Sequence, residues 1–151
     1  MKEDIRCCAC FTPITGDVRE HVRSGELDRP WRCPACNALL FVTRDMEGVA
    51  RAARMALGVE NARVTVNMDV AGPGVHLVCA WDPDQRLNAT QIARIIGVDP
   101  AFVLRLINRG EFPNAQREGH IWRIPMQDVH AYLLRRAVRE KESDVKMKQG
   151  G

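Results

Sequence analysis

The sequence has no long apolar run. Its best hydrophobic stretch, around Ala38 to Val42, is too short to span a bilayer, so no membrane segment is expected. It opens on charged residues, Met1-Lys2-Glu3-Asp4-Ile5-Arg6, with no apolar segment behind them. A secretory signal is therefore not expected, and a cytoplasmic location is. Charge of one sign is scarce too: the net charge is +3 over 151 residues. That lacks the strong basic field of a non-specific nucleic-acid binder, so any DNA contact must come from local placement of arginines, in a dimer or with a partner. No internal repeat is evident. The histidines His21, His76, His120 and His130 have no cysteine, serine or carboxylate constellation around them, and no glycine-rich loop could cradle a phosphate. The chain is therefore not expected to be an enzyme. What remains is 27% charged and 46% hydrophobic, enough for a packed core in one ordinary domain or in two to three small ones.

Cysteine is present in quantity. There are six: Cys7, Cys8, Cys10, Cys33, Cys36 and Cys79. In a chain with no secretion signal, paired Cys-x-x-Cys arms point to metal rather than disulfides. Two intervening residues let a tight turn set both thiolates on one side, so two such arms can close a tetrahedron around zinc. Cys7 and Cys10 form the first arm, because Cys8-Ala9-Cys10 is too tight a bite; Cys33 and Cys36 form the second. Cys8 and Cys79 are left as spare thiols or small buried hydrophobes. His21 could stand in for a cysteine, but reads better as a solvated loop residue. Four thiolates leave no open position, so a single Zn²⁺ would be structural. Cys33-Pro34-Ala35-Cys36 resembles the second knuckle of zinc ribbons, with Asn37 where glycine is usual; asparagine also tolerates a left-handed backbone.

After this segment, residues 1–44, comes a slightly acidic middle, 45–82. Met46, Val49, Ala53 and Leu57 recur at helical spacing before Gly58. Val64, Val66, Met68 and Val70, then Val75, Leu77, Cys79 and Trp81, alternate on either side of Ala71-Gly72-Pro73-Gly74, which predicts a hairpin with one apolar face. A lone hairpin is marginal in water, so this face must pack on the helix, on the ribbon or on another subunit.

The stretch 84–138 reads as a winged helix-turn-helix. Asn88 and Gln91 have capping-box spacing, with Leu87 and Ile92 placed as a staple. Ile92, Ala93, Ile95 and Ile96 face a core, and Gly97 stops the helix. Asp99 caps a second helix that opens on Pro100 and buries Val103, Leu106 and Ile107 before Gly110. Glu118-Gly119-His120 turns between two short extended segments, and a third helix follows Pro125 with Val129, Leu133 and Ala137 inward. The run LNATQIARIIGVDPAFVLRLINRGEFPNAQREGHIWRIPMQDVHAYL resembles the excisionase-type winged helix-turn-helix family, relatives of the MerR regulators. The resemblance implies double-stranded DNA recognition by the second helix and the wing, in transcriptional control or in directing site-specific recombination. The sequence departs from that family where the second helix begins: Pro100, Ala101 and Phe102 replace polar or basic residues.

Away from the core positions, Ala101, Arg105 and Asn108 share one face, flanked by Arg109. Arginine can bind guanine bidentately, asparagine can read adenine, and an alanine methyl can touch thymine. In the wing, Arg117, His120 and Arg123 suit phosphates or a minor groove, and Thr90 at the first helix N-terminus suits a phosphate. The bland reading of each is a solvated surface residue, and Trp122 and Phe112 read as core rather than stacking platforms. The expected fold class is α+β: zinc ribbon, helix plus β-hairpin, winged helix-turn-helix, and a charged flexible tail over 139–151. The expected function is a sequence-specific DNA-binding regulator or recombination accessory factor, as a homodimer or with a protein partner. A protein–protein adaptor is the alternative, favoured by the apolar start of the second helix.

Overall fold

The computed structural model describes residues 5–24 and 30–149. Met1 to Asp4, read above for a targeting signal, and Gly150-Gly151, read as part of the tail, lie outside the described residues. The fold is mixed α+β, in two compact units, Met1–Gln85 and Arg86–Gly151. No helix among the described residues is long and apolar enough to cross a membrane.

The first unit is built on an antiparallel sheet in the order β1-β2-β4-β3, with β1 Trp31–Arg32, β2 Leu39–Thr43, β3 Arg63–Asn67 and β4 His76–Trp81. Residues on either side of position 44 thus share one sheet: β2 comes from the cysteine segment, and β3 and β4 come from the hairpin. The helix α2, Met46–Leu57, starts at Asp45, whose carboxylate accepts from the Gly48 amide at 3.1 Å. Gly48 leaves room for that carboxylate, because an added Cβ would collide with it. The helix ends at Gly58, left-handed at φ 71°.

The hairpin register corrects the expectation of a single apolar face. Val64 stands opposite Ala80 and Val66 opposite Val78, whereas Leu77, Cys79 and Trp81 stand opposite Asn67, Thr65 and Arg63. Directly opposed residues share a sheet face, so the two apolar series lie on opposite faces. Both faces of β4 are buried because β4 is a central strand covered on both sides. On one side α2 packs Ala53 and Leu57 against Leu39, Phe41, Val64 and Ala80. On the other lies the first cysteine turn. The segment between the two cysteine arms holds a helix, α1 Gly16–Ser24, where a loop was expected. Val18 and Val22, four residues apart, were its only apolar signal.

In the second unit, α3 Ala89–Ile96 has a complete capping box: the Asn88 carboxamide accepts from the Gln91 amide, and the Gln91 side chain accepts from the Asn88 amide, both at 2.8 Å. Gly97 closes it in a left-handed conformation, φ 81°, that costs glycine little. The second helix, α4 Pro100–Asn108, follows after three residues. Asp99 is at its N-cap position, but the carboxylate makes no cap bond; proline at the first position fixes the entry instead. The wing is β6 Gln116–Glu118 paired with β7 Ile121–Pro125 around Gly119. A third strand, β5 Arg86–Leu87, pairs with Pro125 and Ile124. Leu87, Ile92, Val103, Leu106, Phe112, Ile124, Met126 and Val129 are all buried.

The last helix, α5, runs Met126–Gln149, so helix occupies the stretch expected to be a flexible tail. Its Arg, Glu, Lys, Met and Gln residues are good helix formers, and no Gly or Pro interrupts them. Ala137, expected to face the core, is exposed.

Candidate metal centre and candidate nucleic-acid interface

The two Cys-x-x-Cys arms form matching turns. In the first, the Cys7 amide donates to Thr12 O at 3.0 Å and the Phe11 amide to Cys7 O at 2.8 Å. In the second, the Cys33 amide donates to Ala38 O at 2.9 Å and the Asn37 amide to Cys33 O at 2.8 Å. The residue after each second cysteine is left-handed: Phe11 at φ 60° and Asn37 at φ 64°. The residue before each first cysteine is an arginine that ties the turn off: Arg6 donates to Phe11 O at 2.9 Å and Arg32 to Asn37 O at 3.1 Å. This repetition corrects the reading that the chain has no internal repeat. The sequence carries it as Arg-Cys-x-Ala-Cys, at Arg6–Cys10 and again at Arg32–Cys36.

These turns bring Cys7, Cys10, Cys33 and Cys36 together. All four are buried, and their sulfurs lie within 4.8 Å of one another. Cys7 and Cys36 Sγ are 3.8 Å apart, and Cys10 and Cys33 Sγ are 3.7 Å apart. The thiols share protons unevenly. Hydrogen bonding with Cys10, then Cys36, draws the Cys33 thiol well below its ordinary range, while Cys10 and Cys33 push the Cys36 thiol well above it. Four buried thiolates can coexist only around a cation, so the donor set fits a metal ion held by Cys7, Cys10, Cys33 and Cys36.

Cys8 and Cys79 are neither spare thiols nor inert hydrophobes: they form a disulfide, with a Cα–Cα separation of 6.0 Å. The sheet register decides this. Cys79 lies on the face of β4 that the first cysteine turn covers, and Thr65, opposite Cys79 on β3, donates from Oγ1 to Cys8 O at 2.9 Å. His21 is not in the cluster; it lies on α1, with its ring stacked on Trp31 at 5.6 Å.

In the second unit, α4 turns Val103, Leu106 and Ile107 inward. Ala101, Arg105, Asn108 and Arg109 are all exposed. Among the described residues no carboxylate pairs with Arg105 or Arg109. Phe102, part of the apolar start of this helix, lies beneath Arg105, whose guanidinium is 5.8 Å from the ring centroid. The i, i+3 spacing was legible in the sequence, but its use as a platform was not. Thr90, in the first turn of α3, is exposed.

The wing residues differ among themselves. His120 is exposed at the tip beside Gly119. Arg117 donates from Nε to Gly119 O at 3.1 Å and lies 6.0 Å over the Trp122 ring. Arg123 is drawn back by Glu118, with Nε 3.6 Å from its carboxylate, and Glu118 also holds Arg86 at 2.9 Å. The wing root is pinned by buried Asp128 on α5: its carboxylate accepts from the Asn114 amide at 2.7 Å and from Asn114 Nδ2 at 2.8 Å. Phe112 is buried and meets Tyr132 edge-on at 5.5 Å.

Residues 86–137 match the family described as a helix-turn-helix domain. That stretch falls inside the second unit and takes in β5, α3, α4, the wing and the first half of α5. No curated protein and no solved structure matches the chain.

Proposed function

We propose that this chain is a sequence-specific double-stranded DNA-binding protein of the cytoplasm. It would act as a transcriptional regulator or as an excisionase-like recombination accessory factor, working as a homodimer or with a protein partner. The observation that carries this reading is the outer face of α4. A helix fixed by a buried core on one side offers Ala101, Arg105, Asn108 and Arg109 on the other, with the two arginines free of carboxylates among the described residues. Stacking of Arg105 over Phe102 restricts the guanidinium, which lowers the entropy lost on bidentate contact with a guanine. Thr90, Arg117 and His120 would meet phosphates on either side; Arg123 would do so after leaving Glu118. The low net charge makes one copy a weak binder, so two half-sites about one helical turn apart are the expected target.

The metal is zinc in this reading. A tetrahedron with Zn–S of about 2.3 Å has edges of roughly 3.8 Å; two of the sulfur separations across the arms are 3.7 and 3.8 Å, and all four sulfurs lie within 4.8 Å of one another. Zinc would cross-link the two turns of a ribbon and supply no chemistry beyond that.

The test is selection of zinc-loaded protein on a random duplex pool at near-physiological salt. An enriched motif supports base readout, and its symmetry gives the number of copies bound. Folded, zinc-bound protein that enriches nothing would overturn the reading in favour of a protein-docking adaptor, for which Leu104 and Ile121 are among the exposed apolar residues.

A further inference from the structure

The metal set is complete without Cys8. In the repeated turn, Cys8 occupies the position that Pro34 fills in the other arm, so the turn itself does not require a thiol there. Yet Cys8 is bonded to Cys79 on the central strand, 71 residues away, and sits directly between the ligands Cys7 and Cys10. A disulfide inside a reducing compartment is usually transient or redox-sensing rather than permanent. We propose that Cys8 and Cys79 are a reversible dithiol–disulfide couple whose state sets how readily the adjacent metal is given up. The inference rests on the zinc and cytoplasmic readings above.

Closed, the bond anchors the first cysteine turn to β4. It is backed by the Cys8 amide donating to Cys79 Sγ at 3.2 Å and by the Thr65 hydroxyl on Cys8 O. Opening proceeds by attack of a thiolate from a dithiol reductant on Cys8 Sγ, since Cys8 is 8% exposed and Cys79 is fully buried. A mixed disulfide forms at Cys8, the Cys8–Cys79 bond breaks, and Cys79 leaves with the electron pair and takes a proton. The second thiol of the reductant then closes its own disulfide and releases Cys8 as a thiol. A small disulfide such as oxidised glutathione runs the steps in reverse, ending as two thiols. With the bond open, the backbone carrying Cys7 and Cys10 loses its one covalent tie to the sheet and keeps only packing and hydrogen bonds such as that from Thr65. Loss of such outer support commonly weakens metal sites by about 10–100-fold.

The experiment uses the full chain loaded with zinc and equilibrated with oxidised glutathione. Alkylation in denaturant with a chelator and no reductant should modify four cysteines and spare Cys8 and Cys79, read by mass spectrometry. Zinc transfer to a chromogenic chelator should become about tenfold faster after treatment with a phosphine reductant. The variant Cys79→Ser should transfer zinc at the faster rate with or without phosphine; if it fails to fold, the wild-type comparison still decides. Six alkylated cysteines, or zinc transfer at one rate in both states, overturns the proposal while leaving the metal reading intact. A chain that binds no zinc although the four-to-two alkylation pattern holds removes the metal reading, and the proposed coupling with it.

Discussion

The two units solve the same problem, holding a short chain in one conformation, by different means. The second unit relies on apolar side chains: Ile92, Val103, Leu106, Ile124 and Val129 are all buried, and each short helix is terminated by local chemistry. The first unit closes its cysteine turns with left-handed backbone at Phe11 and Asn37, and ties them with sulfur. An aromatic residue at positive φ is costly, about 1 kcal/mol or more, and persists where the surroundings over-determine it. The contrast teaches that the first unit adds side-chain chemistry to a packed sheet, whereas the second relies on packing and local caps. The two ends should therefore fail under different insults.

Removing the metal should separate them most. Chelation in the presence of reductant, or Cys36→Ser, should destabilise the first unit by roughly 5 kcal/mol or more. Amide exchange should speed up at β1 and β2 while α3 and α4 keep their protection. Loss of protection in α4 as well would show that the units do not fold independently. Ile92→Ala should do the converse, costing about 2–5 kcal/mol in the second unit while β1 and β2 keep their protection. Arg105→Ala should leave the melting temperature almost unmoved but cost about 1–3 kcal/mol of discrimination between the selected site and random DNA. An equal loss on both DNAs would confine Arg105 to phosphate contact. The smallest effect should come from the capping box: Asn88→Ala should lower the stability of the second unit by about 1 kcal/mol without altering its DNA preference. A change in preference there would mean that the start of α3 sets the recognition geometry directly.

Where structure is fixed by neighbours in sequence, the sequence was enough. The capping box at Asn88 and Gln91, the stop at Gly97, the buried face of α4, the turn at Gly119 and the helix between Asp45 and Gly58 all depend on residues within a turn or two of each other. The pairing of Cys7 and Cys10 with Cys33 and Cys36 was legible for a related reason: ligand spacing within each arm is a local property, and the number of arms leaves little choice. The doubled Arg-Cys-x-Ala-Cys was equally visible but carried meaning only once both turns showed the same hydrogen bonds.

Tertiary structure alone decided the rest. Alternation along β3 and β4 could not say which register joins them, and a one-residue slip exchanges the faces. It took α2 on one face of β4 and the first cysteine turn on the other to bury both faces and put Cys79 beside Cys8. No pattern in the sequence links positions separated by 71 residues; the energy of that contact comes from a sheet assembled from distant segments. The same holds for Glu118 engaging both Arg86 and Arg123 and for Asp128 pinning Asn114. Which charged residues face a partner and which are spent on the fold depends on what lies across from them in space, and that is settled only when the chain has folded.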